Sequence, residues 1–267
     1  MSHSPNLTVM INAARKAARG LQRDFGEVEN LQVSVKGPGD FVTASDRKAE
    51  KILMEELMKA RPAFAFLGEE SGAVAGTDPA GHRWIVDPID GTTNFIHGVP
   101  HFAIAIALER HGEIVAGLIY NPITDELFTA ERGRGAFLND RRRLRVAARR
   151  DIHDALICCG LPHRGSEDNG LFRSELSAMQ GRVAGLRRTG SACLDLAYVA
   201  AGRFDGYWER GLKSWDIAAG MLMIRESGGA IMDIDSEKSP LETGNVLAAN
   251  SDLIEDMRRL LKEAPRA

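Results

Sequence analysis

The sequence predicts a mixed protein, α+β in its first half and more α/β in its second. Three observations lead there. Helical apolar periodicity opens the chain, strand-length apolar runs joined by turn residues follow it, and strands then alternate with helices beyond Arg150. In order, Leu7, Met10, Ile11, Ala14, Ala17, Ala18 and Leu21 mark one amphipathic helix. Leu31, Val33 and Val35 alternate as a strand, and Ala49, Ile52, Leu53, Leu57 and Ala60 mark a second helix. Both helices would cover a sheet. Ala65-Phe66-Leu67 reads as a short strand followed by a glycine-flanked loop, and Trp84 to Val86 as a buried strand. Apolar runs at 102–108, 114–120 and 126–130, with turns at His111-Gly112 and Asn121-Pro122, predict an antiparallel meander. The second half reads as strand 155–159, helices 170–182 and 192–201, strand 204–208, helix 215–227, strands 230–234 and 246–249, and helix 251–263. The linker near 140–153 separates an N-terminal α+β subdomain, 1–145, from a C-terminal α/β subdomain, 146–267, with the site expected in the crevice between them. No internal repeat or low-complexity tract interrupts this order.

Bulk properties bound the function. At 267 residues and 44% hydrophobic composition the chain can bury a sizeable core, and its formal charge of −3 supplies no field for polyanions. The run Arg141-Arg142-Arg143, with Arg145, Arg149 and Arg150, is balanced elsewhere and reads as a solvated hairpin and linker, so direct nucleic-acid binding is not expected. Cys158 and Cys159 are adjacent and Cys193 is alone, which fits core filler in a reducing compartment rather than a disulfide framework. No apolar leader stands at the N-terminus, and the longest apolar run, 102–108, is too short to cross a bilayer. A cytoplasmic protein without membrane contact is expected.

Chemistry concentrates in Trp84-Ile85-Val86-Asp87-Pro88-Ile89-Asp90-Gly91-Thr92-Thr93-Asn94-Phe95. A buried strand there ends in two carboxylates, then glycine and two hydroxyls. Carboxylates leaving a core are costly unless something positive pairs with them. Pro88 keeps Asp87 out of helical geometry and Gly91 permits close backbone approach. Hard divalent cations take such oxygen ligands together with waters and substrate phosphate oxygens. An ordinary Asp-Gly turn is the bland alternative, and the length of the string argues against it. Two weaker elements join it. Gly68-Glu69-Glu70-Ser71-Gly72 carries adjacent carboxylates between glycines, and alone would be a solvated turn. Ser214-Trp215-Asp216 opens a helix with Ser214 as a candidate N-cap and Asp216 in the first turn, ahead of the small residues Ala218, Ala219 and Gly220.

On these residues the chain resembles the inositol monophosphatase family of lithium-sensitive, magnesium-dependent phosphatases. DPIDGTTNF resembles its first signature and SWDIAAGMLMIRESGG its second, with LGEES and DFVTASD standing before them. RRTGSACLDLAYVAAGRFDGYWE is most similar to the bacterial branch of extragenic suppressor proteins. The resemblance implies a layered α-β-α-β-α sandwich, a homodimer and two or three magnesium ions. It implies that Glu69, Asp87 and the Ile89 carbonyl hold one ion, and that Asp87, Asp90 and Asp216 hold another. Thr92, hydrogen-bonded to Asp46, would orient the attacking water, with Glu69 assisting its deprotonation. Asp46 could equally start the following helix. Substrate contacts implied are Asp90, Gly91, Thr92, Arg187, Gly190, Ser191, Ala192, Glu209 and Asp216, with Lys36 on a loop nearing the metals. Lys213 departs from the animal enzymes and makes the rim more basic, and no residue of Gly160 to Ser166 can be singled out.

The activity implied is magnesium-dependent hydrolysis of myo-inositol monophosphate by metal-activated water. Relatives acting on fructose 1,6-bisphosphate, 3'-phosphoadenosine 5'-phosphate or histidinol phosphate leave other small phosphate esters as alternatives. The bacterial branch adds a different class, a transcription-machinery protein partner that would not use the metal site. A calcium-binding module is disfavoured, because no D-x-[DN]-x-[DN]-G loop is present.

Overall fold

The architecture is that of a computed structural model, which describes residues 3–25, 33–37, 40–162 and 169–265, without the side chains of 33–42. Leading the chain, α1 (Pro5–Phe25) extends the predicted helix by two residues before Leu7 and four after Leu21. Then come β1 (Val33–Gly37), β2 (Asp40–Thr43), α2 (Ala44–Ala60), β3 (Ala65–Gly68), β4 (Gly72–Val74), β5 (His82–Asp90) and α3 (Thr92–Ile96). The meander follows as β6 (Ala103–Arg110), β7 (Glu113–Asn121), β8 (Glu126–Glu131), β9 (Gly135–Leu138) and β10 (Arg142–Arg143). The second half holds β11 (Leu156–Cys159), α4 (Asn169–Gln180), β12 (Gly185–Arg187), α5 (Ala192–Ala200), β13 (Gly206–Glu209), α6 (Ser214–Glu226), β14 (Ala230–Met232), α7 (Pro240–Thr243), β15 (Val246–Ala249) and α8 (Ile254–Glu263).

These elements form the layered α-β-α-β-α sandwich. An eight-stranded sheet runs β10-β9-β8-β7-β6-β5-β3-β4, antiparallel throughout except where β3 lies parallel to β5. A five-stranded sheet runs β12-β11-β13-β15-β14, and is parallel only around β11. The sheet is mixed, because β15 and β14 return antiparallel beside β13. Leu7, Met10, Leu53 and Leu57 of α1 and α2 pack on Trp84, Val86 and Ile106 of the larger sheet. The sheet's other face meets α5 and α6, which also cover Tyr207 and Ala248 of the smaller sheet. Met179, Met257 and Leu261 of α4 and α8 close the outer face of that sheet. The helices α5 and α6 are therefore buried on two sides and apolar nearly all round, whereas α1 and α8 carry a single apolar stripe.

Close approach explains the small residues of α6. A Cβ on Gly117 of β7 would sit 2.9 Å from the Ala219 carbonyl oxygen, and one on Gly220 would strike the Leu196 side chain. Two local expectations shift. The cap of α6 is Lys213 rather than Ser214, because Asp216 reaches back to the Lys213 amide. The DGTT string, for which the sequence named no element beyond the alternative of an Asp-Gly turn, coils into the short α3 behind Gly91.

Candidate active site

A bulge in β5 builds the site. Asp87 and Asp90 are three residues apart, so a regular strand would send their side chains to opposite faces. Here Asp87 pairs with Ala105 and Asp90 with Ala103, which inserts one extra residue into β5. Pro88 has no N–H to lose from the ladder, and the Ile89 amide donates instead to Asp87 Oδ1 at 2.9 Å. Ile89 thereby rejoins Trp84 and Val86 in the core beneath α1 and α2, while Asp87 and Asp90 follow Ile85 toward α5 and α6.

Helix N-termini receive these carboxylates. Asp90 Oδ2 accepts the Cys193 amide at 2.8 Å and the hydroxyl of Ser191, the N-cap of α5. Asp216, third residue of α6, accepts the Lys213 amide at 2.7 Å. Backbone donors at helix starts are suited to negative charge. Glu69 completes the group from the β3–β4 turn, where its amide donates to the Val86 carbonyl at 3.2 Å.

The electrostatics are one-sided. Burial first, then the carboxylates of Glu69, Asp90 and Asp216, pushes the Asp87 carboxyl well above the usual range. Burial followed by Asp90 does the same to Asp216. Asp90 is also raised by burial, against the hydrogen bonds from Ser191 and Cys193. Buried like charges at this density call for a cation, and an all-oxygen donor set suits a hard divalent ion. The Cys193 sulfur lies within 4.8 Å of donor atoms of Asp87 and Asp90. It is a poor ligand for such an ion, because burial and the adjacent carboxylates hold it as a neutral thiol, donating to the Asp216 carbonyl at 3.2 Å. The donor chemistry thus fits magnesium at Glu69, Asp87, Asp90 and Asp216.

Asp46 serves both readings of it. Its Oδ2 accepts the Thr43 amide at 2.8 Å in a capping box that starts α2, and its Oδ1 accepts the Thr92 hydroxyl at 3.0 Å. Burial raises its pKa against these hydrogen bonds. The Thr92 hydroxyl is also 3.1 Å from the Ile89 carbonyl, so Asp46 competes for its one proton. Gly91 starts α3 at φ 98°, where an added Cβ would meet the Gly190 carbonyl oxygen at 3.0 Å.

A cleft of about 430 Å³ gathers most of the predicted residues: Glu69, Asp87, Ile89, Asp90, Gly91, Thr92, Gly190, Ser191, Ala192, Glu209, Lys213 and Asp216. Glu209 stands at the end of β13 under Gly160, where a Cβ would come within 1.7 Å of its carboxyl carbon. Burial lifts Glu209 from 4.5 to about 7, although the Tyr207 hydroxyl donates to it. Arg187 is not brought there. It is exposed on β12 and donates to the Leu186 carbonyl at 2.9 Å, while its neighbour Arg188 lines the cleft. Successive side chains of extended backbone point opposite ways, and the sequence alone does not reveal which arginine turns inward. The Lys36 side chain and residues 163–166 lie outside the described residues.

Comparison with known proteins places this geometry. A model of the inositol monophosphatase family matches residues 3–266. The chain belongs to that family. The inositol-1-monophosphatase of Rhizobium meliloti strain 1021 is 59% identical over 262 residues, covering 98% of both chains. The protein named Nus factor SuhB of Pseudomonas aeruginosa is 43% identical over 250 residues, 92% of each. Among solved structures, the extragenic suppressor protein suhB from Bartonella henselae superposes with a TM-score of 0.93 at 55% identity, covering 97% of this chain and 99% of that one. This inositol monophosphatase family member is therefore a phosphatase with a mixed layered fold and an acidic group able to hold metal.

Sequence reasoning gave no role of its own to four residues of this family member. Arg188 and Asp195 also line the cleft; Arg188 was hidden by the adjacent Arg187, and Asp195 stands alone among apolar residues of α5 with no motif to mark it. Asn94 donates to the carbonyls of His101 at 2.7 Å and Thr189 at 2.9 Å, fastening α3 to the loop before α5. Glu50 had a readable signal: it shares the buried face of α2 with Asp46, Leu53 and Leu57, where an acid needs a partner.

Proposed function

We propose that this protein is a magnesium-dependent phosphomonoesterase that hydrolyses myo-inositol monophosphate to inositol and phosphate. The observation that carries the reading is the convergence of Asp87, Asp90, Asp216 and Glu69 on one cleft beside helix N-termini, with half-buried Glu209 lining the same cleft. Bound magnesium, two or three ions, would polarise the phosphate ester and acidify water there. Glu69, Asp87, Asp90 and Asp216, with the Ile89 carbonyl, would be its holders. Thr92, its hydroxyl proton directed to Asp46, presents lone pairs that orient a water for attack, and Glu69 takes that water's proton. The Gly91 and Thr92 amides face the phosphate oxygens. Glu209 and the Gly190-Ser191-Ala192 turn would receive the inositol hydroxyls, and Arg188 takes the place first expected for Arg187. The name of the Rhizobium relative supports the substrate; fructose 1,6-bisphosphate, 3'-phosphoadenosine 5'-phosphate and histidinol phosphate are the competing esters.

The test is phosphate release from inositol 1-phosphate with and without magnesium, for wild type and Asp90→Asn together. Magnesium-dependent turnover lost in the variant is expected, and no turnover of any of the four esters would overturn the reading.

The names of the Pseudomonas and Vibrio relatives, Nus factor SuhB, favour a second role in the transcription machinery, independent of the metals. Recovery of RNA polymerase or an elongation factor from native lysate on immobilised protein would support it; clean beads would not. Division into subdomains 1–145 and 146–267, a homodimer and a cytoplasmic location complete the proposal. The subdomain boundary rests on the division of the two sheets between β10 and β11, the homodimer on the family resemblance, and the location on the cysteine use and short apolar runs of the sequence. Among the described residues no helix is long and apolar enough to cross a membrane.

A further inference from the structure

Among the buried carboxylates that no step above uses, Glu50 is the one bonded to the turn that carries Glu69. Glu50 sits on the core face of α2 at 2% exposure. Its Oε2 accepts the Glu70 amide at 2.8 Å and its Oε1 accepts the Ser71 amide at 2.7 Å. Those two amides belong to the β3–β4 turn that carries Glu69. The preceding residue has been emptied to let the clamp form, since a Cβ on Gly68 would fall 2.6 Å from the Glu50 carboxyl.

We propose that Glu50 is a positioning residue for Glu69, and that α2 acts as a spacer setting Thr92 against Glu69. Asp46 and Glu50 are one turn apart, on the same face and about 6 Å apart along the axis. Asp46 fixes Thr92 through its hydroxyl, and Glu50 fixes the Glu69 turn through two backbone amides. Both partners of the attacking water are thus referred to one rigid rod. A carboxylate is the one side chain of this length that offers two acceptors to two parallel amides. Glutamine would turn an N–H₂ toward one of them.

The inference rests on the metal-binding reading of the site, and its test separates the two. Magnesium binding is measured by calorimetry without substrate for wild type, Glu50→Gln, Gly68→Ala and Glu69→Gln, followed by kcat and half-saturating magnesium in phosphate release. Removing a group that orients a metal ligand weakens metal binding by about 10–100-fold. Glu50→Gln and Gly68→Ala are expected to weaken magnesium at least about tenfold, with kcat at saturating magnesium recovering to within about threefold of wild type. Gly68→Ala keeps the Glu50 side chain and presses on its carboxyl and on the Phe66 ring, so it serves where Glu50→Gln fails to fold. In the Glu50→Gln, Glu69→Gln double variant the losses should not add, because both act through one ligand. Unchanged magnesium affinity in Glu50→Gln and Gly68→Ala, alongside weakened binding in Glu69→Gln, would overturn the positioning role and leave the phosphatase standing. Wild type that binds no magnesium would overturn both.

Discussion

Asp87 must ionise beside Glu69, Asp90 and Asp216 in a buried site, and every consequence of that crowding can be measured. Replacing it with asparagine keeps the oxygen that accepts the Ile89 amide while deleting the charge. Phosphate release in Asp87→Asn should fall by at least about 100-fold, yet its metal-free melting temperature should equal or exceed that of wild type. A lower metal-free Tm would show that the acidic group is not under electrostatic stress. Glu209 gives the pH signature. Its folded pKa, raised by burial from 4.5 to about 7, exceeds the unfolded one, so its stabilising contribution is complete below 4.5 and is lost as pH rises through 7. In Glu209→Gln that component should vanish, so the Tm difference from wild type should change between pH 4.5 and 7 and level off above.

Elements hold these residues through a few backbone devices, chiefly the β5 bulge and the left-handed Gly91. Gly91→Ala would place a side chain at φ 98° against the Gly190 carbonyl. It should cost about 1–3 kcal/mol in urea unfolding and lower activity as well, since α3 and the loop before α5 meet there. The start of α2 is a milder case. Thr43→Ala removes the side-chain half of a capping box and should cost about 1 kcal/mol, with activity reduced only as far as Asp46 loses its hold on Thr92. These elements also mark where legibility ended. The long helix α1 was readable because burial on one face repeats over many residues, and the meander β6–β8 because burial on both faces leaves continuous apolar runs between turns. The strands β4 and β12 and the helices α3 and α7, three to five residues each, carry too few side chains to impose a period.

For the whole molecule, the two sheets and the helices between them bring Glu69 and Asp216 into one cleft, and cation binding should report on the entire fold. Magnesium that binds only the native state raises Tm with its concentration. The raised pKa values of Asp87, Asp90 and Asp216 mean that protonation substitutes for metal at low pH. The metal-free protein should therefore lose stability as pH climbs above the ordinary 3.8 of a carboxylate, and magnesium should raise Tm more at pH 8 than at pH 5. Equal shifts at both pH values would contradict the assignment of these carboxylates as its ligands. The sequence by itself determined the order of the long elements, the acidic motifs and, through their resemblance, the family and the layered architecture. Side-chain periodicity and residue chemistry are local properties that survive in a string. The tertiary structure alone decided that Asp87 and Asp90 share a face, that Arg188 rather than Arg187 enters the cleft, and that Glu50 stands behind Glu69. Each of those depends on register and on contacts between distant segments, where a shift of one residue reverses the direction in which a side chain points.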